Sequence, residues 1–333
     1  MAGRPWTVAV LYGGTSAERE VSLESGRAVC ETLRCAGMAV IEADLCGEIE
    51  SQLDDLQGRC DVAFIALHGT FGEDGGVQRL LEARHIPYTG SGPEASRKAM
   101  DKQLTKAAFA QCGLPTPEGV VLSEPVTLES VAGLASAMGY PVVVKPAAQG
   151  SSKGVGVVTS KEGLAHALHE AAQFDEKIIL ERFLPGAEYT VGILNDQPLP
   201  IIQIEYEGVT FDYQAKYVSE KTRHVIDPDI DESLRRSLQS LATKAHHALG
   251  CRCFSRVDFR LNAEGRPVVL EVNTIPGLTS HSLLPKAAQQ AGISFVQLCK
   301  DMLASAFTEC SRAPGMQPII GLVDGGRMRP GSA

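Results

Sequence analysis

No stretch of this 333-residue chain holds the roughly 20 consecutive apolar residues that a membrane-spanning helix needs, so helical membrane anchorage is not expected. The opening residues Met1-Ala2-Gly3-Arg4-Pro5-Trp6 also lack the apolar core of a secretory signal and run straight into a strand, so a cytoplasmic protein is expected. Basic charge is in deficit, 31 lysines and arginines against 40 acidic residues for a net −9, which argues against a general nucleic-acid binder. A few local lysines, arginines and metal ions can still hold an anionic substrate. The nine cysteines are odd in number and scattered; only Cys251-Arg252-Cys253 is close-spaced, and a lone C-x-C is a poor zinc signal, so buried or partly buried thiols in a reducing cytosol are expected. Neither common nucleotide fingerprint is present: there is no G-x-x-x-x-G-K-[ST], and no G-x-G-x-x-G opens a helix after a strand. Internal repeats and low-complexity core segments are lacking too. What remains, 44% hydrophobic and 21% charged residues, is an ordinary globular composition long enough for two or three domains.

The first hundred residues alternate between strands and helices. Val8 to Tyr12 is a short apolar run ending in Gly13-Gly14, and the helix after it carries Val21, Ala28, Val29 and Leu33 on one face and stops near Gly37. Ala39 to Ala43 reads as a strand, and Val62 to Leu67 is a fully apolar run of the kind found inside parallel sheets. Such alternation predicts a doubly wound sheet whose ligands gather beyond the C-terminal strand ends, where Gly13-Gly14, Glu18 and His68 fall. A second unit begins near Lys98 with a helix opened by Met100-Asp101-Lys102-Gln103-Leu104. It continues through the β-branched strand Tyr140 to Pro146, a Gly-Ser turn over 150–156, a helix over 161–173 and a strand over 178–184 that looks to leave the unit. The third part holds strands near 188–194 and 199–204, a polar loop around 208–230, a helix over 231–249, a β pair at 254–261 and 267–273, and a final helix near 292–309. Residues 313–333, rich in Gly, Pro, Met and Arg without an apolar period, are expected to form a mobile tail.

Chemistry concentrates in four places. In the late β pair, alternation puts Arg256 and Asp258 on one face and Glu271 and Asn273 on one face of the next strand, and pairing can bring all four together. Two carboxylates and an amide, with no His or Cys, are hard oxygen ligands suited to Mg²⁺ on phosphates rather than to Zn²⁺; a solvated polar face would show the same pattern. Lys145 ends a strand of apolar neighbours, beside a Gly150-Ser151-Ser152 turn whose backbone N–H groups could cradle phosphate, although a plain hairpin reads alike. Ala215-Lys216-Tyr217 lies in a long loop with the character of a lid or binding segment, and a surface loop with scattered aromatics reads alike. Thr279-Ser280-His281-Ser282-Leu283 leads into a helix whose N-terminus favours a carboxylate, and a simple Ser cap explains that run equally well.

Taken together, Gly13-Gly14-Thr15-Ser16-Ala17-Glu18, Ala66-Leu67-His68-Gly69, Tyr88-Thr89-Gly90-Ser91-Gly92, Met100-Asp101-Lys102, Val144-Lys145-Pro146, Gly150-Ser151-Ser152, Ala215-Lys216-Tyr217, Arg256-Val257-Asp258 and Glu271-Val272-Asn273-Thr274-Ile275-Pro276-Gly277 resemble the D-alanine–D-alanine ligase family of the ATP-grasp superfamily, from about Val8 to about Ser305. The resemblance implies an α/β protein of α+β ATP-grasp type with three domains. A doubly wound parallel sheet (1–97) would precede two α+β domains (98–185 and 186–312) that clasp ATP between them, with 313–333 as the tail. It implies that Lys102 and Lys145 hold ATP phosphates under the Ser151-Ser152 loop, that Glu181 and Leu184 border the adenine, and that Glu188 takes the ribose hydroxyls. Asp258, Glu271 and Asn273 would ligate two Mg²⁺ ions, for which Mn²⁺ could substitute. Glu18 would pair with the ammonium of the first D-alanine and His68 would lie near its carboxylate; Glu18, Ser151 and Tyr217 would form a hydrogen-bonded set across the closed site. Lys216 would reach the transferring phosphoryl group, Arg256 and the Gly277 backbone would stabilise an oxyanion, and Ser282 and Leu283 would receive the second D-alanine's carboxylate. The implied reaction joins two D-alanines through a D-alanyl phosphate for peptidoglycan precursor synthesis. Tyr217 matches dipeptide-forming members; a relative accepting D-lactate, D-serine or another acid or amine is the alternative, and a non-catalytic nucleotide-binding module would be expected to lose Arg256 or a metal ligand. A cytoplasmic homodimer with small-molecule partners only is the remaining expectation.

Overall fold

The computed structural model describes residues 6–122, 127–206 and 222–310. Its first sheet grows from β1 (Thr7–Gly13), whose Val8, Ala9, Val10 and Leu11 are fully buried, as a strand covered on both faces requires. β1 pairs in parallel with β2 (Ala39–Leu45) and β3 (Val62–Ile65), in the order β2-β1-β3. Alternation sends Val8 and Val10 to one face, where α1 (Arg19–Cys35) covers them with Val29, Cys30 and Leu33. Ala9 and Leu11 point the other way, against Leu53 of α2 (Ile49–Asp54) and Leu81 of α3 (Gly76–Ala83). This is the helix-on-both-faces arrangement that the alternating elements predict, and it leaves the loops after β1 and β3 beyond the C-terminal edge.

Two short helices, α4 (Pro93–Met100) and α5 (Lys102–Gln111), follow. Between them Asp101 stays extended, and its carboxylate accepts from the backbone N–H groups of Gln103 (2.8 Å) and Leu104 (3.2 Å). This capping fixes Lys102 at the first helical position. The second sheet is antiparallel, in the order β4-β7-β5-β6: β4 (Gly119–Leu122), β5 (Val142–Pro146), β6 (Gly156–Val158) and β7 (Ile178–Arg182). Helices α6 (Leu128–Met138) and α7 (Leu164–Ala172) cover it, with Val131, Ala135, Leu164 and Ala171 against Val142, Val144 and Leu180. The sequence reading of 178–184 as a strand leaving this unit is corrected here. β7 lies inside the sheet, between β4 and β5, because Ile179 and Leu180 are both fully buried and need cover on each side.

The third sheet is antiparallel and six-stranded. It runs β11 (Arg223–Ile226), β10 (Ile202–Glu205), β8 (Glu188–Leu194), β12 (Phe254–Leu261), β13 (Pro267–Asn273), with β9 (Gln197–Pro198) also paired to β8. The polar loop expected around 208–230 is therefore interrupted: 223–226 forms an edge strand with one partner, and its polar Arg223 and His224 hide a strand from a pattern reading. Helix α8 (Glu232–Ala248) buries Leu238, Ala242 and Ala245 against Val191, Val257 and Phe259, leaving the other face of β12 to Arg256 and Asp258. The chain ends in α9 (Leu283–Gln290) and α10 (Phe295–Cys310), and α10 returns to the first sheet through Leu298, Met302 and Leu303. Among the described residues no helix is long and apolar enough to cross a membrane. Cys30, Cys251 and Cys299 are buried free thiols that burial pushes up to about 12, whereas Cys35, Cys46 and Cys112 are free and exposed, which corrects the expectation of buried or partly buried thiols for those three. The tail 313–333 and most of the expected lid lie outside the described residues.

Candidate active site

The β12–β13 register sets Arg256 opposite Asn273 and Asp258 opposite Glu271. All four side chains therefore share the face away from α8. A bulge after Asp258 leaves Leu270 as the extra residue on β13, which lets Glu271 face the cleft while Val269 still packs toward α8. Asp258 is the hub of this cluster. Its carboxylate accepts from Arg256 Nε (2.9 Å) and an Arg256 terminal nitrogen (2.8 Å), from Thr190 Oγ1 (2.6 Å) and from Asn273 Nδ2 (3.0 Å). Glu271 meets Lys102 Nζ at 3.5 Å, and Lys102 also donates to the Gln149 carbonyl at 2.7 Å. Arg256 and Lys102 balance the charges of these two carboxylates, and the hard oxygen donors of Asp258, Glu271 and Asn273 are a set that fits a divalent cation such as Mg²⁺.

Beside it, Lys145 and Glu181 form a buried ion pair, and Lys106 approaches the second oxygen of Glu181 at 3.0 Å. Burial alone would raise the Glu181 carboxyl, but the two ammonium groups outweigh it and hold it below the usual carboxylate range; burial in turn lowers the Lys106 ammonium. Lys102, Lys145, Ser152, Glu181, Leu184 and Glu188 line one cleft that reaches Asp258 and Glu271. The buried Glu188 accepts from Tyr206 Oη at 2.8 Å. The Gly-Ser-Ser turn closes the β5–β6 hairpin over this cleft, with Ser151 (φ 50°) and Ser152 (φ 54°) both in the left-handed region. Two adjacent non-glycine residues held there carry of the order of 1 kcal/mol of strain each.

A second cleft shares Glu271 with the first and contains Glu18, His68, Ser151, Arg256, Asn273 and Gly277, with Ser282 and Leu283 at its far end. Glu18 opens α1, and its carboxylate packs against two glycines: a β-carbon on Gly150 would stand 2.9 Å from Glu18 Oε1, and one on Gly69 3.3 Å away. His68 is held at both ring nitrogens, Nδ1 3.3 Å from Glu73 Oε1 and Nε2 3.0 Å from Ser25 Oγ, and Ser25 Oγ accepts from the Leu278 N–H at 3.3 Å. Burial pushes the Glu73 carboxyl up, against the pull of His68. At Gly277 a β-carbon would lie 2.6 Å from Ser282 Oγ, so a side chain there would displace the Ser282 hydroxyl. Ser282 stands at the N-cap of α9 without making a capping bond; its hydroxyl accepts from the Thr279 N–H (3.0 Å) and pairs with Thr279 Oγ1 (2.9 Å). The simple Ser-cap reading of this run is thereby corrected.

The structure thus brings Lys102, Lys145, Ser152, Glu181, Leu184, Glu188, Asp258 and Glu271 to one cleft, and Glu18, His68, Ser151, Arg256, Asn273, Gly277, Ser282 and Leu283 to its neighbour. Lys216 and Tyr217 lie outside the described residues, so the Glu18–Ser151–Tyr217 set is described only in its first two members. Sequence reasoning missed Glu73, Lys106, Thr190, His224 and Lys286. Glu73 had a faint signal as an acidic residue in the Gly72-Glu73-Asp74-Gly75-Gly76 loop after His68. His224 and Lys286 had none, since a strand and a helix far apart in sequence join them: Lys286 Nζ donates to His224 Nδ1 at 3.0 Å, at the edge of the second cleft. Burial first, then Lys286 and Arg256, hold His224 down at about 4, so it is neutral at pH 7.

Comparison with known proteins bears on this geometry. Residues 108–304 match the family described as D-ala D-ala ligase C-terminus, and 39–91 match D-ala D-ala ligase N-terminus. A D-alanine–D-alanine ligase of Aromatoleum aromaticum is 46% identical over 300 residues, covering 90% of this chain and 95% of the relative. A crystal structure of D-alanine–D-alanine ligase from Bacillus anthracis complexed with ATP superposes with a TM-score of 0.81 at 30% identity, covering 92% of this chain and 99% of that one. A D-Ala:D-Ser ligase from Enterococcus faecalis gives 0.77 at 28% identity, over 91% of this chain and 100% of that one. With both halves of the family matched and the clefts assembled from its motifs, this chain belongs to the D-alanine–D-alanine ligase family.

Proposed function

We propose that this protein joins two D-alanines into D-alanyl-D-alanine at the expense of ATP, through a D-alanyl phosphate. The observation that carries the reading is the meeting of two chemically different clefts at Glu271: one lined by lysines and hard oxygen donors, the other by a carboxylate, a buried histidine, an arginine and a helix N-terminus. In the first cleft Lys102 and Lys145 would donate to ATP phosphate oxygens, with the Ser151-Ser152 amides above them, Leu184 and Glu181 beside the adenine and Glu188 at the ribose. Asp258, Glu271 and Asn273 would hold Mg²⁺, which when bound supplies charge neutralisation on the transferring phosphoryl group.

A carboxylate is a poor electrophile, so the chain's own residues must bring it to the γ-phosphate in line. Glu18 would take the ammonium of the first D-alanine, and the Glu73–His68–Ser25 chain would fix its carboxylate end. Attack by that carboxylate oxygen breaks the bond to the β-phosphate oxygen and releases ADP. The second D-alanine, its carboxylate at Ser282 and the first N–H groups of α9, would present its amine to the acyl carbon. Arg256 and the Gly277 N–H would then support the tetrahedral oxyanion until the carbon–oxygen bond breaks and phosphate leaves. Cytosolic location and a homodimer belong to the same proposal.

The test is phosphate release from Mg-ATP with D-alanine, L-alanine, or D-alanine plus D-lactate or D-serine, with the products weighed. Release that needs D-alanine, with the dipeptide as main product in every mixture, supports the reading. A depsipeptide or a D-alanyl-D-serine product in preference would move the assignment to the alternative acceptor, and no D-alanine-dependent release from folded protein would overturn the activity.

A further inference from the structure

On the far side of the catalytic sheet three potential metal ligands converge, away from both clefts. β12 alternates, so Ser255, unlike Arg256, points toward α8, where its Oγ lies 2.7 Å from Nδ1 of the fully buried His246. The other ring nitrogen, His246 Nε2, is buried with no hydrogen-bond partner and faces Asp196 Oδ1 at 3.8 Å. That distance is too long for a hydrogen bond. The exposed His247 brings its Nε2 to the same Asp196 oxygen at 2.9 Å. All three ligand atoms lie within 4.8 Å of one another.

Their supports are rigid. Asp196 sits in the two-residue turn between β8 and β9, where Asn195 (φ 50°) and Asp196 (φ 63°) take the paired left-handed conformation of a tight hairpin. The Asn195 N–H donates to the Cys253 carbonyl at 2.7 Å, tying that turn to the approach to β12. His246 and His247 occupy the last turn of α8. In the tautomer that carries its proton on Nδ1 and donates it to Ser255, His246 presents a bare Nε2 lone pair to an oxygen of the exposed Asp196 carboxylate, two acceptors face to face. A cation between them removes that conflict. The second-nitrogen hydrogen bond to Ser255 is the arrangement that orients histidine ligands. Ligands placed tetrahedrally around Zn²⁺ at about 2.0–2.1 Å stand roughly 3.3 Å apart, and the observed separations fall on either side of that figure.

We propose that Asp196, His246 and His247 form a binding site for one transition-metal ion of the Zn²⁺ class, which clips the end of α8 to the β8–β9 turn behind the catalytic strand. Two imidazoles and one carboxylate select against Mg²⁺, so the site is separate in kind from the oxygen ligands of the active site. The experiment is Zn²⁺ titration of the full chain in excess Mg²⁺, followed by calorimetry and thermal unfolding, on the wild type and on His247→Gln and Asp196→Asn. Both substitutions are at exposed side chains outside the catalytic clefts, and any Zn²⁺ taken by thiols or by Asp258 and Glu271 is common to all three proteins. The expected result is one further equivalent bound by the wild type, weakened at least about tenfold in each variant, with a Zn²⁺-dependent rise in unfolding temperature that the variants lose. Equal stoichiometry, affinity and unfolding temperature in the three proteins would overturn the site, leaving a plain surface ion pair between Asp196 and His247.

Discussion

Replacing Glu181 with Gln strands two lysines. Glu181 is 3% exposed and Lys145 8%, and the carboxylate is the shared counter-charge of Lys145 and Lys106. Removing one partner of a buried ion pair costs about 3–5 kcal/mol. A ceiling also follows from the lysines themselves: deprotonating one at pH 7 costs about 1.4 kcal/mol for each pH unit below its usual value near 10.4, so about 4.6 kcal/mol. The Gln amide oxygen keeps one acceptor and Lys106 reaches solvent in part, so a loss of about 2–4 kcal/mol is expected at pH 7. The sign of the pH dependence is fixed. In the variant the folded-state lysine pKa falls below the unfolded value, so between the two the unfolded state binds more protons and stability rises with pH. The deficit against wild type should therefore shrink to about 1–2 kcal/mol at pH 9.5. Urea unfolding of both proteins at pH 7 and 9.5 measures it. A deficit below about 1 kcal/mol, or one that does not change with pH, would refute the claim that these charges are desolvated and mutually compensated.

Acid should destabilise the wild type between pH 6.5 and 4, because burial holds His246 at about 4 in the folded state against an unfolded value near 6.5. The unfolded chain binds the extra proton in that window, so stability is complete above it and lost as pH falls; by pH 4.5 His246 alone removes roughly 2–3 kcal/mol, read from urea midpoints across the range. Gly150→Ala places a β-carbon on the far end of the Glu18 side chain, which can move. Unfolding stability should therefore change by under about 1 kcal/mol while KM for the first D-alanine rises about tenfold or more, and steady-state kinetics with unchanged KM would remove Glu18 from that role. Lys286→Met takes the ammonium from His224 at the edge of the second cleft. KM for the second D-alanine should rise about threefold to tenfold, roughly 1 kcal/mol, with the first unaffected, as separate titration of the two subsites will show.

The parts of this fold that were legible in the sequence are those whose residues leave one option. Val8 to Leu11 reads as a covered strand because the apolar run is short and closes on Gly13-Gly14, and the alternation of Arg256 with Asp258 sets their common face before any partner strand is known. The β11 strand was not legible, because Arg223 and His224 on an edge strand carry no apolar period. Position 178–184 was misread since a buried apolar run looks the same inside a sheet as at its exit. Among site residues, Lys102, Lys145, Asp258, Glu271 and Asn273 stand in motifs. His224, Lys286, Lys106 and Thr190 act through contacts between elements distant in sequence, which no local pattern encodes. The same holds for Asp196 and His246, which meet only because a hairpin turn and a helix end pack against the back of β12.

The most direct test of the mechanism follows the oxygen of the first D-alanine. Turnover with D-alanine labelled with heavy oxygen in its carboxylate should release phosphate bearing one labelled oxygen per dipeptide formed, because that oxygen bridges carbon and phosphorus in the acyl phosphate and leaves with phosphorus. Dipeptide formation with unlabelled phosphate would contradict carboxylate activation by ATP, and with it the roles assigned to both clefts.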